Sequence, residues 1–211
     1  MAKTMQNKRK TTFYCMTVLC SMIMIGLSML LLVVPADVKE EKKPLTLKTG
    51  SSEAEYSSLQ ISNDEYEISG EIKDGHRAEV TFSGKQIDVG ISLNLAELKI
   101  FDETDEDVSG MYDISYDFGI LSVTPRELVI SSGSKSERYY DGIKLEDHSY
   151  EIVSGEIASG DEITVSYYSE QSTIGQSDNY FSVSVTNIAG GKDVTDNYRI
   201  ICEFGTLTVY R

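Results

Sequence analysis

The chain has no tryptophan, two histidines and three cysteines in 211 residues. Cys15 and Cys20 fall inside an N-terminal apolar run, so Cys202 is the single thiol beyond it. One cysteine cannot close an intrachain bridge, and whatever folds after the apolar run must be held by its cores instead of a disulfide framework. His76 and His148 stand apart, without CxxC or HxxxH spacing, so no metal-site pattern is present. Serine, histidine and acidic residues occur, but no spacing arranges them as nucleophile, base and orienter. The sequence therefore reads as non-enzymatic, with no catalytic residue, no cofactor and no small-molecule substrate.

Basic charge is also scarce. The formal net charge is -15, and the four cations Lys3, Lys8, Arg9 and Lys10 all precede the apolar run, so the remainder carries -19 (-15 less those four). A surface that acidic repels phosphate backbones, which excludes nucleic acid as a partner. Ordinary apolar content argues against wholesale disorder, and tyrosine supplies most of the aromatic surface.

Against these absences stands one long hydrophobic segment. Phe13 to Val34, FYCMTVLCSMIMIGLSMLLLVV, runs 22 residues without a charge. At about 1.5 Å per residue a helix of that length crosses a hydrocarbon core of ~30 Å. With the basic tail 1–12 holding the amino end inside, residues 13–34 are expected to form a single-pass signal anchor in the lipid bilayer. The competing reading is a cleavable signal peptide, with Val34-Pro35-Ala36 as an imperfect A-x-A-like site, which would secrete the rest. The run exceeds the usual length of a signal h-region, which favours the anchor. Both readings export everything after about residue 36. Residues 35–43 (PADVKEEKK) then form a charged spacer.

An internal repeat organises the remainder of the chain. Tyr66-Glu67-Ile68-Ser69-Gly70-Glu71-Ile72 recurs as Tyr150-Glu151-Ile152-Val153-Ser154-Gly155-Glu156-Ile157, with Val153 as an extra residue. Gly75, Val80 and Gly90 match Gly160, Val165 and Gly175; Asn94 matches Asn179, Asp107 matches Asp193, and Tyr112 matches Tyr198. Both copies close alike, on Phe118-Gly119-Ile120-Leu121-Ser122-Val123 and Phe204-Gly205-Thr206-Leu207-Thr208-Val209. Similarity kept in register over such a span marks a duplicated unit. The expected modules are 44–125 and 126–211, about 85 residues each, joined without a linker across Pro125. A tight join with a proline favours a semi-rigid tandem.

Each copy alternates apolar and polar residues, as in Ile163 to Tyr167, Phe181 to Val185 and Tyr198 to Phe204, and Gly, Asn, Asp and Ser clusters separate the runs. That pattern predicts an all-β fold, two tandem Ig-like β-sandwich modules after one N-terminal transmembrane helix, with β-grasp-like modules as the alternative. Leu93 to Phe101 hints at helix, but its repeat partner is a plain strand, so strand is expected there too.

Tyr140-Asp141-Gly142, Ser154-Gly155-Glu156, Asn179, Asp193-Val194-Thr195, Tyr198 and the closing Phe204 to Val209 together resemble the YDG-type (MBG-like) repeats of bacterial surface proteins. The likeness spans the second unit and covers the first more loosely, where Tyr56-Ser57-Ser58 stands in place of Tyr-Asp-Gly. The resemblance implies a surface-exposed, non-enzymatic β module, often in tandem; no LPxTG-type sorting tail is present.

The candidate interaction loop is Tyr139, Tyr140, Asp141 and Gly142, since tyrosine suits binding surfaces; the competing reading is a structural turn that uses Gly142 at positive φ. The acid cluster Asp102 to Asp107 lacks the glycine and terminal Glu of an EF-hand and reads as a solvated hairpin loop, with Asp107 and Asp193 capping the turns after them. Cys202 alternates with Ile200 and Phe204 and is expected on the inner face. The function expected is a stalk or adhesin-type surface module, the alternative being a module that binds a cell-wall or host glycan or protein through tyrosine-bearing loops.

Overall fold

The computed structural model describes residues 41–139 and 142–211. The basic tail, the apolar segment 13–34, most of the spacer, Tyr140 and Asp141 lie outside the described residues. Among the described residues no helix is long and apolar enough to cross a membrane.

The described chain is all-β, and its two halves repeat one strand plan. The first half runs β1 (Lys43–Thr49), β2 (Ser52–Glu55), β3 (Tyr66–Gly70), β4 (Arg77–Phe82), β5 (Gly90–Leu93), β6 (Ala96–Phe101), a 3-10 turn at Ser109–Met111, β7 (Tyr112–Asp117) and β8 (Ile120–Thr124). The second runs β9 (Arg126–Ser132), β10 (Lys135–Arg138), β11 (Tyr150–Gly155), β12 (Asp161–Tyr167), β13 (Gly175–Asp178), β14 (Phe181–Asn187), the short β15 (Lys192–Asp193), a 3-10 turn at Thr195–Asn197, β16 (Tyr198–Glu203) and β17 (Thr206–Tyr210). The helix-like stretch at Leu93 to Phe101 is strand, because β6 buries alternate residues Ala96, Leu98 and Ile100.

Pairing repeats as faithfully as order. β1 lies antiparallel to β3 and parallel to β7; β9 lies antiparallel to β11 and parallel to β16. Farther along the same strands, β8 is parallel to β2 and antiparallel to β5, as β17 is to β10 and β13. Beside them β4 pairs β6 and β12 pairs β14. Each half therefore centres on a parallel pair, β1–β2 against β7–β8, whereas an immunoglobulin sandwich is built from antiparallel sheets. The extra residue Val153 sits where the β9–β11 register shifts between Ile152 and Ser154, so the insertion is absorbed as a bulge.

Both central strands bend at one place, and glycine is what lets them. A Cβ on Gly119 would lie 2.2 Å from the Gly50 carbonyl oxygen, and one on Gly205 2.2 Å from that of Gly133. A buried asparagine staples each bend. Asn94 Nδ2 donates to the carbonyls of Gly50 (3.0 Å) and Asn63 (2.7 Å). Asn179 Nδ2 donates to those of Gly133 (3.1 Å) and Asp147 (2.9 Å). Thr49 and Ser132 complete the node, each hydroxyl donating to the asparagine carbonyl and accepting from the Gly119 or Gly205 N–H. Buried backbone groups at a broken ladder are thus satisfied by side chains.

The first half has its own core of Leu45, Leu47, Ala96, Leu98, Ile100 and Tyr112. The core of the second is not confined to it: Tyr56 and Val123 of the first half are buried in one cluster with Leu128, Ile130, Phe181, Val185 and Tyr198. Lys42–Arg211 accordingly forms one compact unit.

Candidate functional site

Two equivalent turns, one at the far end of each half, meet different fates. After β2 the Tyr56 N–H donates to Thr124 O at 2.9 Å, and after β10 the Tyr139 N–H donates to Tyr210 O at 2.7 Å. By strand pairing Tyr56 and Tyr139 are equivalent, one residue earlier than the match of Tyr56 to Tyr140 that the sequence motif gives. Yet Tyr56 is 2 % exposed and Tyr139 is 45 % exposed. The difference lies in what covers them: the second half seats itself on Tyr56, and no described residue covers Tyr139.

The seat is built around Asp161, the first residue of β12, which is buried. Its Oδ2 accepts hydrogen bonds from the hydroxyls of Tyr198 (2.8 Å), Ser58 (2.9 Å) and Tyr56 (3.0 Å), and its Oδ1 accepts from Asn187 Nδ2 (2.8 Å). Tyr198 in turn accepts the Ala158 N–H at 2.9 Å, and its ring meets that of Tyr56 edge-on at 5.4 Å. Burial opposes the charged form of Asp161, but the four donors outweigh it and hold its pKa below the usual carboxylate value. Burial, with Asp161 beside it, pushes the Tyr198 hydroxyl well above its ordinary pKa. Ser58 adopts φ +63°, a left-handed conformation unusual for serine, at the point where it reaches the carboxylate.

A second set of contacts flanks this node. Asn197 Oδ1 accepts the Val89 N–H at 2.8 Å while its Nδ2 donates to Asp88 at 2.9 Å. Lys192 reaches the other oxygen of Asp88 at 2.6 Å. Arg126 lies between Glu55 (3.5 Å) and Glu156 (2.8 Å). The hydrogen bonds from Lys192 and Asn197 hold Asp88 below the usual carboxylate pKa.

Of the candidate loop, Tyr139 and Gly142 are described. Gly142 takes φ +73° with nothing within 4 Å of an added Cβ, so backbone conformation and not space selects glycine there. At the end of β10 a hollow of about 360 Å³ opens between Glu137, Arg138, Ile143, Leu145 and Val209. Leu145 and Val209 are the counterparts of Ile61 and Val123, which the second half covers at the join.

Other sequence candidates take structural parts. Asp102 Oδ1 accepts the N–H groups of Thr104 and Glu106, bracing its own hairpin loop. Asp107 and Asp193 accept the Ser109 and Thr195 N–H groups, each at 2.9 Å, as turn caps. Cys202 is half-buried against the second core, and burial raises its thiol pKa. His76 Nδ1 lies 2.8 Å from Tyr112 Oη, at the position of the repeat that Asp161 holds in the second half.

An aromatic cluster one residue beyond the ends of β12 and β16 and just before β14 escaped the sequence reading. Tyr168 and Tyr180 stack at 6.3 Å with their planes 6° apart, and Phe204 meets Tyr180 edge-on at 4.9 Å; all three are exposed. The signal lay in Tyr167-Tyr168 and Tyr180-Phe181, which the β12–β14 register sets opposite one another.

No family model, no curated protein and no solved structure matches this chain.

Proposed function

We propose that this chain is a membrane-anchored extracellular structural and interaction protein, in which two β modules form a stalk and present the Tyr139 end outward. The observation that carries this reading is the join. A linker between independently tumbling domains leaves few contacts across it, whereas Tyr56, Ser58, Asp88 and Glu55 are all bonded into the second half. Stiffness of that kind is what a spacer needs and what a catalyst does not require.

In this reading residues 13–34 span the bilayer with the amino end cytoplasmic, or are removed after Ala36 to release the same tandem. At finer grain each module is an Ig-like sandwich variant with a parallel central pair. The grasp-like alternative would put a helix where β6 stands. The likeness to YDG-type surface repeats agrees in kind, since those too are non-enzymatic tandem modules.

A second reading, a module binding a glycan or protein, is favoured by the exposed Tyr168–Tyr180–Phe204 cluster, because flat stacked rings offer a contact surface at small entropic cost.

The stalk is tested by spin labels introduced as unnatural amino acids at exposed Glu97 and Gln176 in the full chain. One narrow distance is expected, broadened by Asp161→Ala; a broad distribution in the unaltered chain would sink the stalk reading. Protease shaving of intact cells tests export, and extraction of washed membranes with alkaline carbonate separates anchor from secretion.

A further inference from the structure

We infer that two copies of this chain pair side by side through the outer face of β5 and β8 in the first module, as a closed twofold dimer. Strand register defines that face. On β8 Leu121 and Val123 are buried, so Ile120, Ser122 and Thr124 alternate to the outside. β5 pairs antiparallel with β8, setting Leu93 opposite Ile120 and Ile91 opposite Ser122. Ile91, Leu93 and Ile120 are 72 %, 51 % and 46 % exposed, three aliphatic side chains together on one sheet face. Leu95, just past β5, is exposed as well.

The second module shows that the fold does not require them. There β13 and β17 pair in the same register, with Gln176 opposite Thr208 and Asp178 opposite Thr206. Ile91, Leu93 and Ile120 therefore correspond to Gln176, Asp178 and Thr206. One copy of the fold keeps this face polar and the other makes it aliphatic. Contiguous exposed aliphatic side chains of this kind mark a contact surface.

The make-up of the face selects a second copy as its occupant. About a twofold axis running along the strands between β5 and β8, Leu93 of one copy lies over Ile120 of the other, and Ile91 over Ser122. Each contact is made twice, so the face is self-complementary and the pair closes. Sheets packed in this way sit about 10 Å apart with their strands nearly aligned. Acids stand at the margin: Glu53 and Glu55 on β2 are opposite Ser122 and Thr124, on the same outer face. A bilayer meeting this face would take in those two carboxylates, which is unfavourable. A partner centred between β5 and β8 leaves them in water at the rim. Two copies anchored in one membrane also stand the same way up, as an axis along the strands requires. That last point rests on the anchor reading; the others rest on the first module alone.

The test is photo-crosslinking in cells producing two differently tagged copies of the full chain, with p-benzoylphenylalanine at position 91. A product carrying both tags is expected, its crosslinked peptide mapping to β8 of the partner around Ser122. The same probe at position 176 should yield at least tenfold less. Leu93→Asp with Ile120→Thr gives the first module the residues that the second carries at those positions, and should cut the yield at position 91 at least tenfold. Protease resistance confirms that this variant folds, and the mapping itself is made without it. Crosslinks to lipid, to another protein or to the second module of a partner copy would overturn the pairing. So would equal yields at 91 and 176, or no product from a folded chain. Carbonate extraction separates this from the anchor: dimer in the washed membranes supports both, and dimer in the extract supports the pairing while removing the anchor. Monomer alone in the membranes overturns the pairing and leaves the anchor. Diluting spin-labelled chain with unlabelled chain keeps the Glu97–Gln176 distance free of contributions between copies, so the stalk is read separately.

Discussion

Asp161 illustrates how a single residue sets the character of the join. A carboxylate removed from water is unfavourable unless its oxygens find donors, and here Tyr198, Ser58, Tyr56 and Asn187 supply them. Asp161→Ala strips all four of their acceptor, and buried groups left unpaired cost about 1–3 kcal/mol each before relaxation. A loss of about 3 kcal/mol in urea unfolding at neutral pH is expected, and Asp161→Asn, which keeps an acceptor oxygen, should lose less. The pH dependence has a definite sign. Because the folded pKa lies below the ordinary aspartate value, the stability Asp161 contributes is present above that value and lost as pH falls through the folded pKa. Unfolding midpoints followed from about pH 6 down to about pH 2 should therefore fall more steeply in the unaltered chain than in Asp161→Asn; parallel acid limbs would contradict this. Asn94 and Asn179 offer a second comparison. Both staple two carbonyls, but Asn179 Oδ1 also accepts the Ser169 hydroxyl at 3.0 Å, whereas Asn94 Oδ1 is buried without a partner. Asn179→Ala should thus destabilise more than Asn94→Ala, by about 1 kcal/mol, read from the same denaturation curves.

Among the elements, the bent parallel pair is the part most sensitive to one methyl group. Gly205→Ala would press a Cβ to 2.2 Å from a backbone carbonyl that is itself held by Asn179, so neither side can give. The expected loss is about 3 kcal/mol or more, the upper range of overpacking. Gly142→Ala meets no neighbour and should cost only about 1 kcal/mol of left-handed strain; thermal melts of the two variants make the comparison. These elements were legible in unequal measure. Alternation identified the strands, the repeat identified their duplication, and the offset caused by Val153 anticipated the bulge, because side-chain period and sequence register survive without tertiary context. Strand direction was not legible, since alternation is the same in parallel and antiparallel pairs, and so the parallel centre of each module went unseen. The join was hidden for another reason. Tyr56 and Asp161 lie far apart in sequence, and only the second copy carries the acid; the first has His76 at the same place. The tyrosine turn drew notice only at its second copy, Tyr139 to Gly142, as a candidate interaction loop weighed against a structural turn, while the copy that makes the join, Tyr56 to Ser58, stood as a weaker match to the motif.

For the whole molecule, the question is whether two copies of one fold behave as two domains or one. Duplicated modules with separate cores unfold in separate transitions. Here the second core is completed by Tyr56 and Val123 from the first half, with Ile61 and Val89 packed against it. Loss of the first module would leave Phe181, Val185 and Tyr198 short of partners. Loss of the second would expose Tyr56, a ring of the size that dominates core energetics. Coupling of that strength makes the fully folded tandem the cooperative unit, so scanning calorimetry of the intact chain should show a single endotherm for residues 42–211. Tyr56→Ala removes the ring and its hydroxyl together, with an expected loss of about 3–5 kcal/mol, all of it at the join. The first module retains its own core of Leu45, Leu47, Leu98 and Ile100, so the variant should resolve two endotherms, the second module melting first. Two endotherms in the unaltered chain, or one that Tyr56→Ala merely shifts, would mean that the halves are coupled by something other than this contact.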